Sequence, residues 1–564
     1  MAFRALSNLS EGIRSVFIRF PVPVFLAIAT SILAIAAVET EGSPLAEILG
    51  RWSLVCGAAF VACLLVDLLC LARNAFLWVR IIASSLALAA VLASSHVLVP
   101  PALEDARPPF WYGFWILLFS LHLGIALSPL VASRDTRILW SFNLRLFLRF
   151  FFSSVNAALL FFGLALALGS IDQLFNVHFN EESYVQIWFF AAFAAHPLLF
   201  LGGVPRLDEM DLDEDFPRPL RFTLQFIALP LVGVYLLILY VYIGKIAVMA
   251  RWPDGWVAMP IFFLSVTGTL AAVLCLPLAG AEAWARLFHR WLYRLLLPLS
   301  VVLFLALQVR LQDYGMTINR YLALALAVWL FGISLSYVIR PRLHIAWLPG
   351  SLLVVSLFSI GAGTFGAFGW STRSQVERIR SIATVAGALQ DGVFVKSTTP
   401  DKVSNEERRQ LESGLYYMME HFGFDPLKAE LEGFLAINSN QSTRHAYHYQ
   451  QAQDIMSFLG FNQGASVRES SYYYPYLALP ADGHQWCVPL DFYPETLPHS
   501  IEAGQPLGTL RFGALSDEAV VECSAGESVR FQIELGEWVN DIPWEAESSA
   551  PDLLEKPVFW DYEA

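Results

Sequence analysis

The sequence predicts a polytopic α-helical membrane bundle of about eleven spans, carrying a C-terminal extracytosolic α+β domain. Three observations predict it. The 564 residues are 56% hydrophobic and 15% charged, with a mean hydropathy of +0.53, where a soluble chain carries about 25% charged residues. Apolar runs recur that reach the length of about 20 residues needed to cross a bilayer. Charge is also partitioned: residues 1–369 hold 23 Lys and Arg against 20 Asp and Glu, while 370–564 hold 13 against 29. The boundary near Trp370 separates a transmembrane part, 1–369, from an extracytosolic part, 370–537, and an acidic tail, 538–564. The acidic second half excludes nucleic acid as a partner, because phosphates are bound by basic surfaces.

In chain order the apolar runs are 22–38, 52–71, 76–98, 111–131, 147–169, 184–203, 222–246, 256–279, 292–311, 318–338 and 344–367. Charge or proline interrupts the chain between them, as at Pro100-Pro101. Arg73-Asn74 divides one long run into a tight pair. The first run is expected to stay as an uncleaved anchor rather than to be removed as a signal peptide. Seventeen basic residues, among them Arg4, Arg14, Arg19, Arg73, Arg80, Arg134, Arg206, Arg286 and Arg340, fall on one side of these spans. Only Arg51, Arg107, Lys245, Arg251, Arg310 and Arg320 fall on the other. The basic side is cytoplasmic by the positive-inside rule, so the N-terminus is expected inside and residues 370–564 outside, in the periplasm or its equivalent.

Beyond the spans, Val376, Ile379, Ala383, Ala386 and Leu389 recur at helical spacing on one face of a helix leaving the membrane. Ser404-Asn405-Glu406-Glu407 has the form of a capping box. It opens a helix with Leu411, Leu415, Met418 and Phe422 inward, closed by Gly423. Helical stretches are expected near 426–436 and 445–459. Strand patterning follows: Val529, Phe531, Ile533 and Leu535 alternate with polar residues, and Ser524-Ala525-Gly526 reads as a hairpin turn. Cys487 and Cys523 lie in this region. In an oxidising compartment they are a candidate disulfide, which would stabilise by about 3–4 kcal/mol in the chain-entropy picture.

Three stretches carry a family resemblance. They are Arg310-Leu-Gln-Asp-Tyr314-Gly315-Met-Thr317-Ile-Asn-Arg320-Tyr321, then Trp370-Ser371-Thr-Arg-Ser374-Gln375-Val-Glu-Arg378, and Asp391-Gly392 with the helix ending His421-Phe-Gly423. They resemble the DUF4153 family of bacterial inner-membrane proteins. The resemblance implies an inner-membrane location and supplies no activity, because the family is uncharacterised.

Several motifs match a functional pattern in letters only. Gly361-Ala-Gly363-Thr-Phe-Gly366 fits a dinucleotide fingerprint, but it lies at the end of a span and not between a strand and a helix; close packing or a bend is the better reading. Asp211-Leu-Asp213-Glu-Asp215 opens like a calcium loop, but Phe216 and Phe222 replace the glycine and glutamate that such a loop requires. His445-x-x-His448 finds no further ligand at zinc spacing. No cofactor or metal site is expected, and no Walker A, H-E-x-x-H, C-x-x-C or G-x-S-x-G pattern gives a catalytic motif.

Two constellations remain as candidates. Asp67 sits inside the second span, where a carboxylate is expensive and hence a functional candidate. Either it pairs with a cytoplasmic-side arginine, Arg73 being six residues away, or with His122 on the fourth span it forms an intramembrane polar site on a proton or cation path. Tyr314, Thr317, Arg320, Ser374, Gln375 and Arg378 leave the membrane on one side. They would either dock the outer domain or hold a lipid headgroup or other anion between the two arginines. Arg107 is taken as an ordinary loop charge. Two function classes are compatible with this inventory. One is a transporter or a protein handling lipids or envelope precursors, with broken helices near Pro230, Pro260, Pro277 and Pro298. The other is a sensor, regulator or assembly factor whose outer domain binds a periplasmic protein or a small-molecule ligand. Membrane lipids are partners in both.

Overall fold

The computed structural model describes residues 14–98, 106–175, 177–209, 216–249, 258–341, 343–399, 402–437 and 448–461, and the backbone of six strands beyond 475. By contacts the chain forms two compact units, Met1–Asn462 and Gln463–Ala564. The helices that follow residue 370 therefore belong to the same unit as the membrane helices.

The first unit is helical. α1 (Pro21–Glu39), α2 (Pro44–Ala72), α3 (Leu77–Leu98) and α4 (Pro108–Leu127) come first. Three of these open on proline in the first turn, where the missing N–H would have no helical partner. Asn74 takes the left-handed conformation at φ 54° and makes the tight turn expected between α2 and α3. α5 (Thr136–Phe175) is followed by α6 (Glu181–Phe190), which continues through a π turn at Ala191–Ala195 into α7 (His196–Leu201). α8 (Arg218–Thr223) likewise passes through a π turn, Leu224–Ala228, into α9 (Leu229–Met249). α10 (Ala258–Cys275), α11 (Ala283–Tyr314), α12 (Ile318–Ile339) and α13 (Trp347–Gly361) complete the apolar set.

Among the described residues, ten helices are long and apolar enough to cross a membrane, which makes this a multi-pass membrane protein. They answer to ten of the eleven expected spans. The eleventh, 344–367, is realised as the 15-residue α13, and its shortness has a local cause. Gly363 turns the chain at φ 56° in a short 3-10 turn, Gly363–Phe365, and a Cβ at Gly369 would strike the Gly363 carbonyl. The glycine-rich motif is thus a close-packed bend.

α13 and the turn after it lead back beside α12. His344, before α13, meets the Arg134 carbonyl at 2.9 Å. Trp329 donates to Ser351 at 2.9 Å, and Tyr321 donates to the Phe365 carbonyl at 3.0 Å. The basic segments also meet one another: Arg19 donates to the carbonyls of Val204 (2.6 Å) and Pro205 (3.0 Å), and Arg221 pairs with Glu282.

α14 (Ala367–Val385) leaves this bundle and packs with α15 (Asn405–His421), α16 (Glu432–Ile437) and α17 (His448–Phe458). Ile379, Ala383, Leu411, Leu415, Met418, Leu431, Ile455 and Leu459 are fully buried at their centre, each aliphatic side chain contributing on the order of 1.5–3 kcal/mol. The capping box is formed: Ser404 Oγ accepts from the Glu407 N–H at 3.2 Å, and Glu407 Oε2 accepts from the Ser404 N–H at 2.8 Å. Hydrogen bonds from the Ser404 N–H and hydroxyl hold the Glu407 carboxyl below its ordinary range. Gly423 ends α15 at φ 68°, a conformation glycine adopts without steric cost. β1 (Leu389–Gln390) and β2 (Val393–Phe394) add a small hairpin between α14 and α15.

In the second unit, β3 (Tyr476–Ala481) pairs with β4 (His484–Pro489). A separate antiparallel sheet holds β5 (Ser500–Glu502), β6 (Thr509–Leu515), β7 (Glu518–Ala525) and β8 (Ser528–Glu534) in sequence order. Cys487 on β4 lies opposite Ala478, and Cys523 on β7 opposite Leu510 and Phe531, so their backbones belong to different sheets. The thiols, His445, Asp211–Asp215 and the tail 538–564 lie outside the described residues.

Candidate functional site

Gly315 is the pivot where α11 gives way to α12, and its φ of 68° suits glycine alone at low cost. A Cβ there would sit 3.1 Å from Gln375 Nε2, 3.3 Å from Ser374 Oγ and 3.5 Å from an Arg378 guanidinium nitrogen. The missing side chain lets α14 approach the loop backbone, and two polar residues use that access. Ser374 Oγ accepts from the Met316 N–H at 3.0 Å, and Gln375 Nε2 donates to the Met316 carbonyl at 2.9 Å.

The next residues open α12. Thr317 is its N-cap, its hydroxyl accepting from the Arg320 N–H at 3.5 Å. Arg320 returns to donate to the Gly315 carbonyl at 2.9 Å. The Ile318 N–H, one of the donors that a helix start leaves unpaired, is taken by the Tyr417 hydroxyl of α15 at 2.9 Å. Burial pushes the Tyr417 phenol up to about 12, so it stays a neutral hydroxyl. Tyr112 of α4 donates to Asn319 at 2.5 Å.

Five of the six expected residues thus converge on this loop, with both arginines beside Gly315. The Tyr314 side chain lies outside the described ones. Ser374 and Gln375 of α14 and Tyr417 of α15 bond to backbone groups of 316–318, so what they make is a clasp joining α12, α14 and α15. Arg107 departs from the expectation of an ordinary loop charge. Its guanidinium lies against Gly423, in the space a side chain would need there.

The intramembrane candidate is arranged differently. Asp67 is 1% exposed and pairs with Arg80 of α3 at 3.5 Å, not with Arg73. Ser84 donates to Asp67 Oδ1 at 3.2 Å, and Cys63 lies 3.3 Å from the Ser84 carbonyl. Arg80 also donates to the Arg19 carbonyl and lies 6.0 Å from the centre of the Phe20 ring. Asp67 Oδ2 and Arg80 Nε have no hydrogen-bond partner among the described residues. His122 does not join this group; it is exposed on α4, its Nδ1 2.7 Å from the Leu118 carbonyl. Cys56, Cys63, Cys70 and Cys275 are free thiols.

The family described as a domain of unknown function, DUF4153, matches residues 24–402, two thirds of the chain. The chain belongs to the DUF4153 family. An uncharacterised protein of Pasteurella multocida (strain Pm70) is 31% identical over 164 residues, covering 29% of this chain and 28% of that relative. The similarity thus spans little more than a quarter of the relative's length. No solved structure matches the chain significantly.

The DUF4153 match takes in the pivot glycine, Ser374 and Gln375, and stops before Tyr417. Sequence reasoning missed Tyr417, and a signal for it exists. Gly414, Tyr417 and His421 recur at i, i+3 and i+7 on α15, beside the face of Leu411, Leu415 and Met418. A glycine inside a helix that has no turn to make there points to a close approach. At Gly414 a Cβ would lie 3.3 Å from Ile379 and 3.5 Å from Gln375.

Proposed function

We propose that this DUF4153 protein is a regulator or assembly factor of the bacterial inner membrane. In this reading its helical domain, 370–461, is coupled to the last spans, and its C-terminal part binds a periplasmic protein or small ligand. The clasp carries the reading. Three side chains from α14 and α15 bond the backbone of the 316–318 loop, so a shift of α12 must move α15 with it. A domain that only rode on an anchor would need no such bonds to the start of a span.

The orientation belongs to the same proposal. The basic asymmetry puts the Arg19, Arg134 and Arg206 end in the cytoplasm. The course of α13 beside α12 supports an eleventh crossing, which leaves residues 370–564 outside. Alkaline phosphatase fused after Glu563 should then be active, and an active cytoplasmic reporter at that point would overturn the orientation. The Cys487–Cys523 disulfide follows from the same placement and should appear in non-reducing peptide maps.

The lipid-handling reading keeps one observation: Arg320 and Arg378 stand together beside Gly315, and paired guanidinium groups suit a phosphate. Native mass spectrometry of the purified protein separates the two. A stoichiometric protein partner, lost on Tyr417→Phe, supports coupling. A stoichiometric anionic lipid, lost on Arg320→Ala and unaffected by Tyr417→Phe, overturns it in favour of headgroup binding.

A further inference from the structure

Tyr417 does not hold the loop unaided. His421, one turn further along α15, stacks on it with ring centroids 4.1 Å apart and planes inclined by 27°. Its side chain is 12% exposed, and its Nδ1 lies 3.4 Å from Glu420 Oε2 with no hydrogen-bond partner among the described residues. The surrounding charged and polar groups come from five elements. Glu420 is on α15 itself and His448 stands at the start of α17. Around the Tyr417 phenol are Arg320 of α12, Ser371 of α14 and Tyr112 of α4. Arg107 lies against Gly423, two residues beyond His421.

Resting on the clasp reading above, we propose that His421 makes the clasp acid-sensitive: protonation of its imidazole breaks the stack on Tyr417, frees the Ile318 N–H and loosens α15 from the start of α12. A neutral ring can stay flat against the phenol and covered by protein. An imidazolium needs water or an acceptor at both nitrogens, and a covered charge loses its hydration. The attraction of a cation for an aromatic face works the other way, as does Glu420. Against them stand burial and His448.

The direction of the shift agrees with the geometry. Burial, the largest cause, and His448 hold the imidazole below its ordinary value of 6.5, while Glu420 and the Tyr417 backbone carbonyl oppose them without reversing the shift. The opened state therefore takes the proton first. The clasp is intact above the ordinary value and weakens as pH falls below it. On the periplasmic side, this would expose the clasp directly to the acidity of the surroundings.

Hydrogen–deuterium exchange of the full-length protein in phospholipid discs tests the proposal on the peptide 315–322. Exchange is compared at about pH 7.5 and about pH 5.5, either side of the ordinary imidazole value, after correction for intrinsic rates. The wild type should exchange severalfold faster in acid, His421→Phe should stay protected at both, and Tyr417→Phe should be fast at both. Equal protection of the wild type at the two values overturns the proposal, and this comparison needs no variant. Acid acceleration that persists in His421→Phe overturns it as well. Unchanged protection in Tyr417→Phe instead overturns the clasp reading itself, so the two failures are distinguishable.

Discussion

The Asp67–Arg80 pair and the 315–318 clasp both join segments that a loop alone would leave apart. The first does so with full charges in an apolar interior, the second with neutral side chains on open backbone groups. Removing half of an ion pair leaves an uncompensated charge, so its members stand or fall together. Removing one side chain from the clasp leaves one amide or carbonyl unmet, a smaller and more local loss. Strength of attachment and freedom to be regulated therefore lie in different places. The pair suits a permanent joint between α1, α2 and α3, and the clasp suits one that opens.

The contrast can be broken most directly at Asp67. Asp67→Leu should cost about 3–5 kcal/mol by stranding Arg80, read as a fall in the thermal midpoint of the detergent-solubilised protein. The double variant with Arg80→Leu should recover most of that loss. A double variant as unstable as the single one would show that the two charges do not act as a pair.

Gly315→Ala comes next. It forces a side chain into a left-handed backbone and against Gln375, for which about 1–3 kcal/mol is expected. Faster proteolysis of the 315–322 region should report it, with little change around Asp67. Tyr417→Phe keeps the ring and removes one acceptor, so about 1–2 kcal/mol is expected, confined to the clasp. Global destabilisation by that variant would mean that the domain does not open independently of the bundle. The smallest effect is Ser404→Ala, about 1 kcal/mol from the lost cap, seen as fraying of the first turn of α15 while the 316–318 amides stay protected.

Length and apolarity are enough to read ten spans, because lipid leaves the backbone few alternatives to a helix. The cap of α15 is legible for a similar reason: Ser404 and Glu407 satisfy local donors, and local chemistry is written in adjacent residues. Partners across space are harder. Arg73 draws attention to itself by nearness in sequence, whereas Asp67 and Arg80 are equidistant from the turn at Arg73-Asn74, as are Cys63 and Ser84. Folding the chain back at that turn pairs both sets. At the clasp, Ser374 and Gln375 can be singled out, but their type does not say whether they face a ligand or a backbone amide. Only the left-handed Gly315 settles how close that backbone comes.

The two π turns have a consequence for how the chain tolerates change in length. Each fits an additional residue into a helix, and relative to an uninterrupted α-helix it rotates the remainder of that helix by about 100°. At Ala191–Ala195 that rotation delivers His196 to Ser154, 3.2 Å away, with Phe150 against its ring. Deleting one residue there would restore regular pitch and swing His196 out of reach, even if every remaining side chain were kept. In this stretch the number of residues is itself specified.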